Sequence, residues 1–143
     1  MMLNMNIIKD EGFNEKYFDQ ANSKIIGVDF DDTITLHRPY PEEAPLNKKA
    51  KKYLDKLNKA GFILVLWTAR IEKDYEDALF RCHYEFEMPY IKSDSDELVH
   101  GKTGKLVAKF YIDDRSYVNN KVPWRKIYKF LIKKYGVINN NNV

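Results

Sequence analysis

Apolar residues in this chain fall either into short unbroken runs or into longer stretches with helical spacing. The runs at 24–30 and 62–67, and a third at 106–112 interrupted by Lys109, read as strands. A strand that is apolar at successive positions is buried on both faces, as strands of parallel sheets are. Between the runs, Ala50, Tyr53, Leu54, Leu57 and Ala60 repeat at helical spacing, with Asn47 placed to cap the helix and Gly61 to end it. Tyr75, Leu79, Cys82 and Phe86 predict a second helix, stopped before Pro89, and residues 89–92 a short further strand. After Pro123, the residues Trp124, Ile127, Tyr128, Leu131, Ile132 and Tyr135 make an amphipathic final helix that Gly136 closes. Residues 35–46, with Pro39, Pro41 and Pro45, predict a loop. Strands alternating with helices imply an α/β fold: a mainly parallel central sheet with helices on both faces.

There are no repeats and no internal linker, so residues 24–138 are expected to form one domain. Residues 1–23 show little periodicity and read as an N-terminal extension. The Asn-rich stretch 139–143 reads as a disordered tail.

The polar residues become informative once the strands are placed. Each of the three apolar runs ends abruptly: the first in Asp29, Asp31, Asp32 and Thr33, the second in Thr68 and Arg70, the last in Asp113 and Asp114. Carboxyl ends of parallel strands share one edge of the sheet, which is where α/β folds bind ligands. Gathering carboxylates there is costly unless a cation offsets their repulsion. Asp29, Asp31 and Asp113 supply hard oxygen ligands, which suit Mg2+ rather than zinc. A metal among acids calls for an anionic substrate, and a phosphate group fits best.

Composition narrows this further. The 143 residues are 44% hydrophobic and 31% charged, as in an ordinary globular domain. A net charge of +3 is too weak to argue for nucleic acid. Cys82 is the single cysteine, so neither an internal disulfide nor a cysteine-based zinc cluster is possible, and its apolar neighbours make it a core thiol. No apolar run reaches membrane-spanning length and residues 1–24 lack the apolar segment of a signal peptide, so a cytoplasmic location without membrane association is expected.

The ordered set Asp29-x-Asp31-x-Thr33, then Thr68, then a lysine, then Asp113-Asp114, each at a strand end, resembles the haloacid dehalogenase (HAD) superfamily of phosphohydrolases over about 24–115. The resemblance implies a Rossmann-like three-layer α/β/α sandwich and a Mg2+-dependent phosphatase. Asp29 would be the nucleophile that forms an aspartyl-phosphate. Asp31 would protonate the leaving oxygen and then activate water. Thr68 would hydrogen-bond the transferring phosphoryl group. The metal would be held by the Asp29 carboxylate, the Asp31 backbone carbonyl and Asp113, with Asp114 acting through metal-bound water, the two acids of the doublet being interchangeable. The family's lysine would be Lys105, before the last strand, with Lys102 and Lys109 as alternatives.

Other polar residues have plainer readings. Asp32 is expected to serve the turn, and Thr33 to bond backbone within it. Arg70 and Arg115 flank the edge, suited equally to structural ion pairs and to substrate. His37, Arg38 and Tyr40 sit in the loop after the nucleophile, as compatible with an exposed loop as with substrate contact. Trp67 is expected in the core.

Neither 34–46 nor 69–102 is long enough for a cap domain, so a capless member with an open site is expected. Such a site suits a bulky phosphorylated substrate, or needs cover from elsewhere, for which residues 1–23 are one candidate. Thr68-Ala69-Arg70 and Ile112-Asp113-Asp114-Arg115 also resemble the phosphatase domain of polynucleotide kinase-phosphatases, which makes a nucleic-acid 3′-phosphate one possible substrate. Nucleic acid enters only in that role. A response-regulator receiver domain, which accepts a phosphoryl group without hydrolysing esters, is the alternative of another class. It expects its phosphoacceptor on a middle strand, where this chain has Thr68. The oligomeric state is open.

Overall fold

The computed structural model describes residues 24–38, 43–95, 108, 110–117 and 121–135. The expectations for residues 1–23, for Tyr40, for the tail 139–143, and for Lys102, Lys105 and Lys109 lie outside these.

The fold is an α/β sandwich built on a parallel sheet, with strand order β2-β1-β3, where β1 is Ile25–Val28, β2 is Ile63–Leu66 and β3 is Phe110–Ile112. Both neighbours run parallel to β1, with Gly27 opposite Val65 on one side and Tyr111 on the other. Alternation along the strands sends Ile26, Val28, Leu64, Leu66 and Ile112 into the main core. Ile25 and Val65 face the other way and are also fully buried, packed with Ile63 and Ala108. Both faces of the sheet are thus covered, which is why the strands read as unbroken apolar runs.

Among the described residues, three helices contribute to the main core: α1 at Lys48–Lys59, α2 at Glu72–Phe80 and α3 at Trp124–Tyr135. Asn47 caps α1 as expected, its side chain accepting from the N–H groups of Lys49 and Ala50 at 3.0 and 3.3 Å. Beyond the end of α1, Gly61 takes a φ of 98°, which a residue with a Cβ would adopt only at a cost. The face carrying Ala50, Tyr53, Leu54 and Leu57 is buried. Burial of each large apolar side chain here contributes about 1.5–3 kcal/mol. α3 buries Trp124, Ile127 and Leu131 and meets α1 through Tyr128, whose ring lies 5.7 Å from that of Tyr53. The Lys56 ammonium sits over both rings.

α2 is the most solvent-facing helix and continues into a wider turn at Arg81–Glu85 that buries Cys82. The strand expected at 89–92 shrinks to one parallel bridge between Val65 and Lys92. Beyond Lys92 the Tyr75 hydroxyl takes the place of the next ladder bond, donating to the Leu66 carbonyl at 2.8 Å and accepting the Asp94 N–H at 2.7 Å, so the pairing does not extend. The segment between β1 and α1 is pinned by an antiparallel bridge from Thr35 to Leu46. No cap domain interrupts the fold among the described residues, and none of their helices is long and apolar enough to cross a membrane.

Candidate active site

The site is made by hydrogen bonds that run one step past the strands. Asp29 donates its N–H to the Ile112 carbonyl, and Trp67 donates to the Val28 carbonyl, both at 2.9 Å. These bonds align the residues that follow all three strands, so Asp29, Thr68 and Asp113 emerge side by side. Together with Asp31, Asp32 and Asp114 they line one open cavity of about 460 Å³, walled also by Trp67, Ala69 and Arg115.

After Asp29 the chain makes a tight wide turn over Phe30–Ile34. The Asp29 carboxylate accepts from the Phe30 N–H at 2.8 Å. Asp32 adopts a left-handed conformation with φ of 63°, which aspartate tolerates better than most residues. Thr35 closes the turn, donating its N–H to the Phe30 carbonyl at 3.1 Å. Its hydroxyl accepts the Asp32 N–H at 3.2 Å. Buried Phe30 and Ile34 anchor this loop in the core, so the acids between them are held on a rigid frame. Asp32 serves the turn, as expected, and its carboxylate lies 3.0 Å from His37 Nδ1.

Thr33 does something the sequence did not indicate. It was expected to bond backbone within its own turn, a task that falls to Thr35. Its buried hydroxyl instead accepts the N–H of Asp114 at 3.1 Å, tying the loop after β1 to the acid pair after β3. Trp67 is also a correction: it is 38% exposed, not core, and forms a wall of the cavity with its ring 4.7 Å from that of Tyr111. It shares a sheet face with Ile63 and Val65 but lies past the end of β2, outside the cover that buries Val65.

Oxygens of Asp29, Asp113 and Asp114 lie within 4.8 Å of one another, a spacing at which three carboxylates can hold one cation. Electrostatics shows the same crowding. Burial, with the charges of Asp113, Asp114 and Asp31 adding to it, pushes the Asp29 carboxyl from 3.8 up to about 7, against the bond from Phe30. Asp114 is pushed up as well, first by burial and then by its neighbour Asp113. Hard oxygen donors that repel one another this strongly fit a divalent cation such as Mg2+.

The Asp31 carboxylate stands apart from this trio. Arg70 holds it in a bidentate pair, Nε to Oδ2 at 2.8 Å and Nη2 to Oδ1 at 2.7 Å. The guanidinium also packs over the Phe30 ring at 4.9 Å. Of the two roles open to Arg70, the ion pair is the one observed. Thr68 faces the cavity while its hydroxyl accepts the Arg70 N–H at 3.3 Å. Cys82 is a core thiol as expected, fully buried, with burial pushing it up to about 12.

No family model matches the chain, and no curated protein matches it. Among solved structures, a conserved protein from Bacteroides thetaiotaomicron is 32% identical, with a TM-score of 0.63 over 79% of this chain and 93% of that one. The chain belongs to the family of that conserved protein. Membership supports the α/β architecture and brings no activity with it.

Proposed function

We propose that the chain is a Mg2+-dependent phosphomonoesterase of the HAD type, acting through an aspartyl-phosphate on Asp29. The observation that supports it most is the meeting of Asp29, Thr68, Asp113 and Asp114 in one cavity, with Asp31 beside them under an arginine. In this reading the Asp29 carboxylate attacks phosphorus, the Asp29 O–P bond forms, and the ester P–O bond breaks. Asp31 passes a proton to the departing oxygen, then takes one from the water that hydrolyses the acyl phosphate and restores Asp29. Thr68 has a hydroxyl free to donate to a phosphoryl oxygen, since toward Arg70 it acts only as acceptor. Arg70 binds Asp31 through two N–H groups that an arriving phosphoryl group would also attract, which would release the Asp31 carboxyl for proton transfer. Asp29, Asp113 and Asp114, with the Asp31 backbone carbonyl, are the groups that would hold Mg2+; once bound it would offset the negative charge of acids and phosphate.

The test is phosphate release from p-nitrophenyl phosphate by the purified protein with Mg2+, and by the Asp29→Asn and Asp31→Asn variants. Turnover that needs Mg2+ and is lost in both variants supports the reading. Stable labelling of Asp29 by acetyl phosphate without ester turnover would replace it with a receiver-like phosphoacceptor. A folded protein that does neither overturns it.

A further inference from the structure

Beside the acid cavity lies a second one of about 640 Å³, which shares Asp32, Asp114 and Arg115 with it. Its character is the reverse of the first. Lys49 and Lys121 line it together with Arg115, and none of these three has a carboxylate partner among the described residues. Of the acids it touches, Asp32 is already engaged by His37, and Asp114 is buried within the acid trio. The helices α1 and α3 both begin at this cavity, so the positive ends of their dipoles add to the same potential. An acidic cavity that would take a metal and a phosphoryl group thus borders a cationic one.

We propose that the second cavity binds a second anionic group of the substrate, carried on the leaving group. This rests on the phosphomonoesterase reading and deepens it. The leaving group begins at the oxygen that Asp31 would protonate, and the next residue, Asp32, borders both cavities. A monoester bearing another phosphate can therefore set its reacting phosphoryl group among the acids while its second phosphate meets Lys49, Lys121 and Arg115. The preferred substrate class is a bis-anionic phosphate ester, such as a bisphosphate, rather than a phosphorylated neutral alcohol.

Adenosine 3′-phosphate and adenosine 3′,5′-bisphosphate differ only in this second phosphate and form the test pair. With Mg2+ and low salt, kcat/KM for 3′-phosphate release from the bisphosphate is expected to exceed that for the monophosphate by about tenfold or more, the usual scale for a charge-assisted contact. The Lys49→Ala/Lys121→Ala variant is expected to abolish that preference, raising KM for the bisphosphate while turnover of p-nitrophenyl phosphate stays unchanged. Restoring both positions as arginine should restore the preference, and salt should erode it. Equal turnover of the two nucleotides, or a preference that survives loss of both lysines, overturns the inference while leaving the phosphatase reading intact. If no phosphate ester is turned over, binding of adenosine 3′,5′-bisphosphate by calorimetry decides separately. A tenfold weaker Kd in the lysine variant then upholds the anion site without the phosphatase, and an unchanged Kd, or no binding, overturns it.

Discussion

Replacing the proposed nucleophile should make the metal-free protein more stable. In the fold the Asp29 carboxyl keeps its proton up to about pH 7, against an ordinary 3.8. Between those values the folded state binds more protons than the unfolded chain, so stability falls as pH rises through this window and stays reduced above it. A displacement of that size corresponds to about 4 kcal/mol for a group sealed from water. Asp29 is only partly buried at an open strand end, and screening by solvent lowers the figure to about 1–2 kcal/mol. Asp29→Asn removes the charge but keeps an oxygen to accept the Phe30 N–H. In EDTA at pH 8 the variant should therefore melt about 2–8 °C above the parent, the shift expected for that energy in a chain of this size. At pH 4 the two should melt nearly together, since Asp29 is then neutral in the fold. Mg2+ at pH 8 should raise the parent and leave the variant almost unmoved, reversing or closing the gap. Thermal denaturation followed by circular dichroism reads all of these. A variant no more stable at pH 8, or one with the same gain at pH 4, refutes the reasoning that Asp29 is held among repelling acids.

Three further outcomes follow from particular contacts. Arg70→Ala should cost less than about 1 kcal/mol of stability, because the pair it breaks is solvent-accessible, yet lower kcat on p-nitrophenyl phosphate by about 10–100-fold through loss of Asp31 positioning. Arg70→Lys should not restore it, since one ammonium cannot hold both carboxylate oxygens; full activity in either variant would remove Arg70 from the mechanism. Thr33→Val leaves the Asp114 N–H without its acceptor in a buried place and should cost about 1–3 kcal/mol in urea titration, whereas Thr33→Ser should cost much less. Cys82 should resist aromatic disulfide reagents in the native protein and react only when urea unfolds it; rapid native labelling would contradict its burial.

The chain's own pattern was enough for the α/β architecture and for the edge on which the candidate site sits. Unbroken runs such as Ile25–Val28 state that both faces of a strand are covered, and the acids that interrupt them mark the strand ends, because local periodicity follows from burial. Asn47 and Gly61 bounded α1 correctly for the same local reason, a cap and a left-handed turn being properties of a few adjacent residues. What pattern could not decide was which of several polar groups at that edge meet. The choice of Arg70 as partner for Asp31, across 39 positions, and of Thr33 as the acceptor for Asp114, across 81, depends on how loops from different strands pack. Trp67 stands in the cavity wall because it falls just past the end of β2, where the cover that buries Val65 stops. The cationic cavity beside the acids was invisible for the same reason: Lys49, Arg115 and Lys121 come from separate segments and look like ordinary surface charges until the tertiary structure brings them around one space.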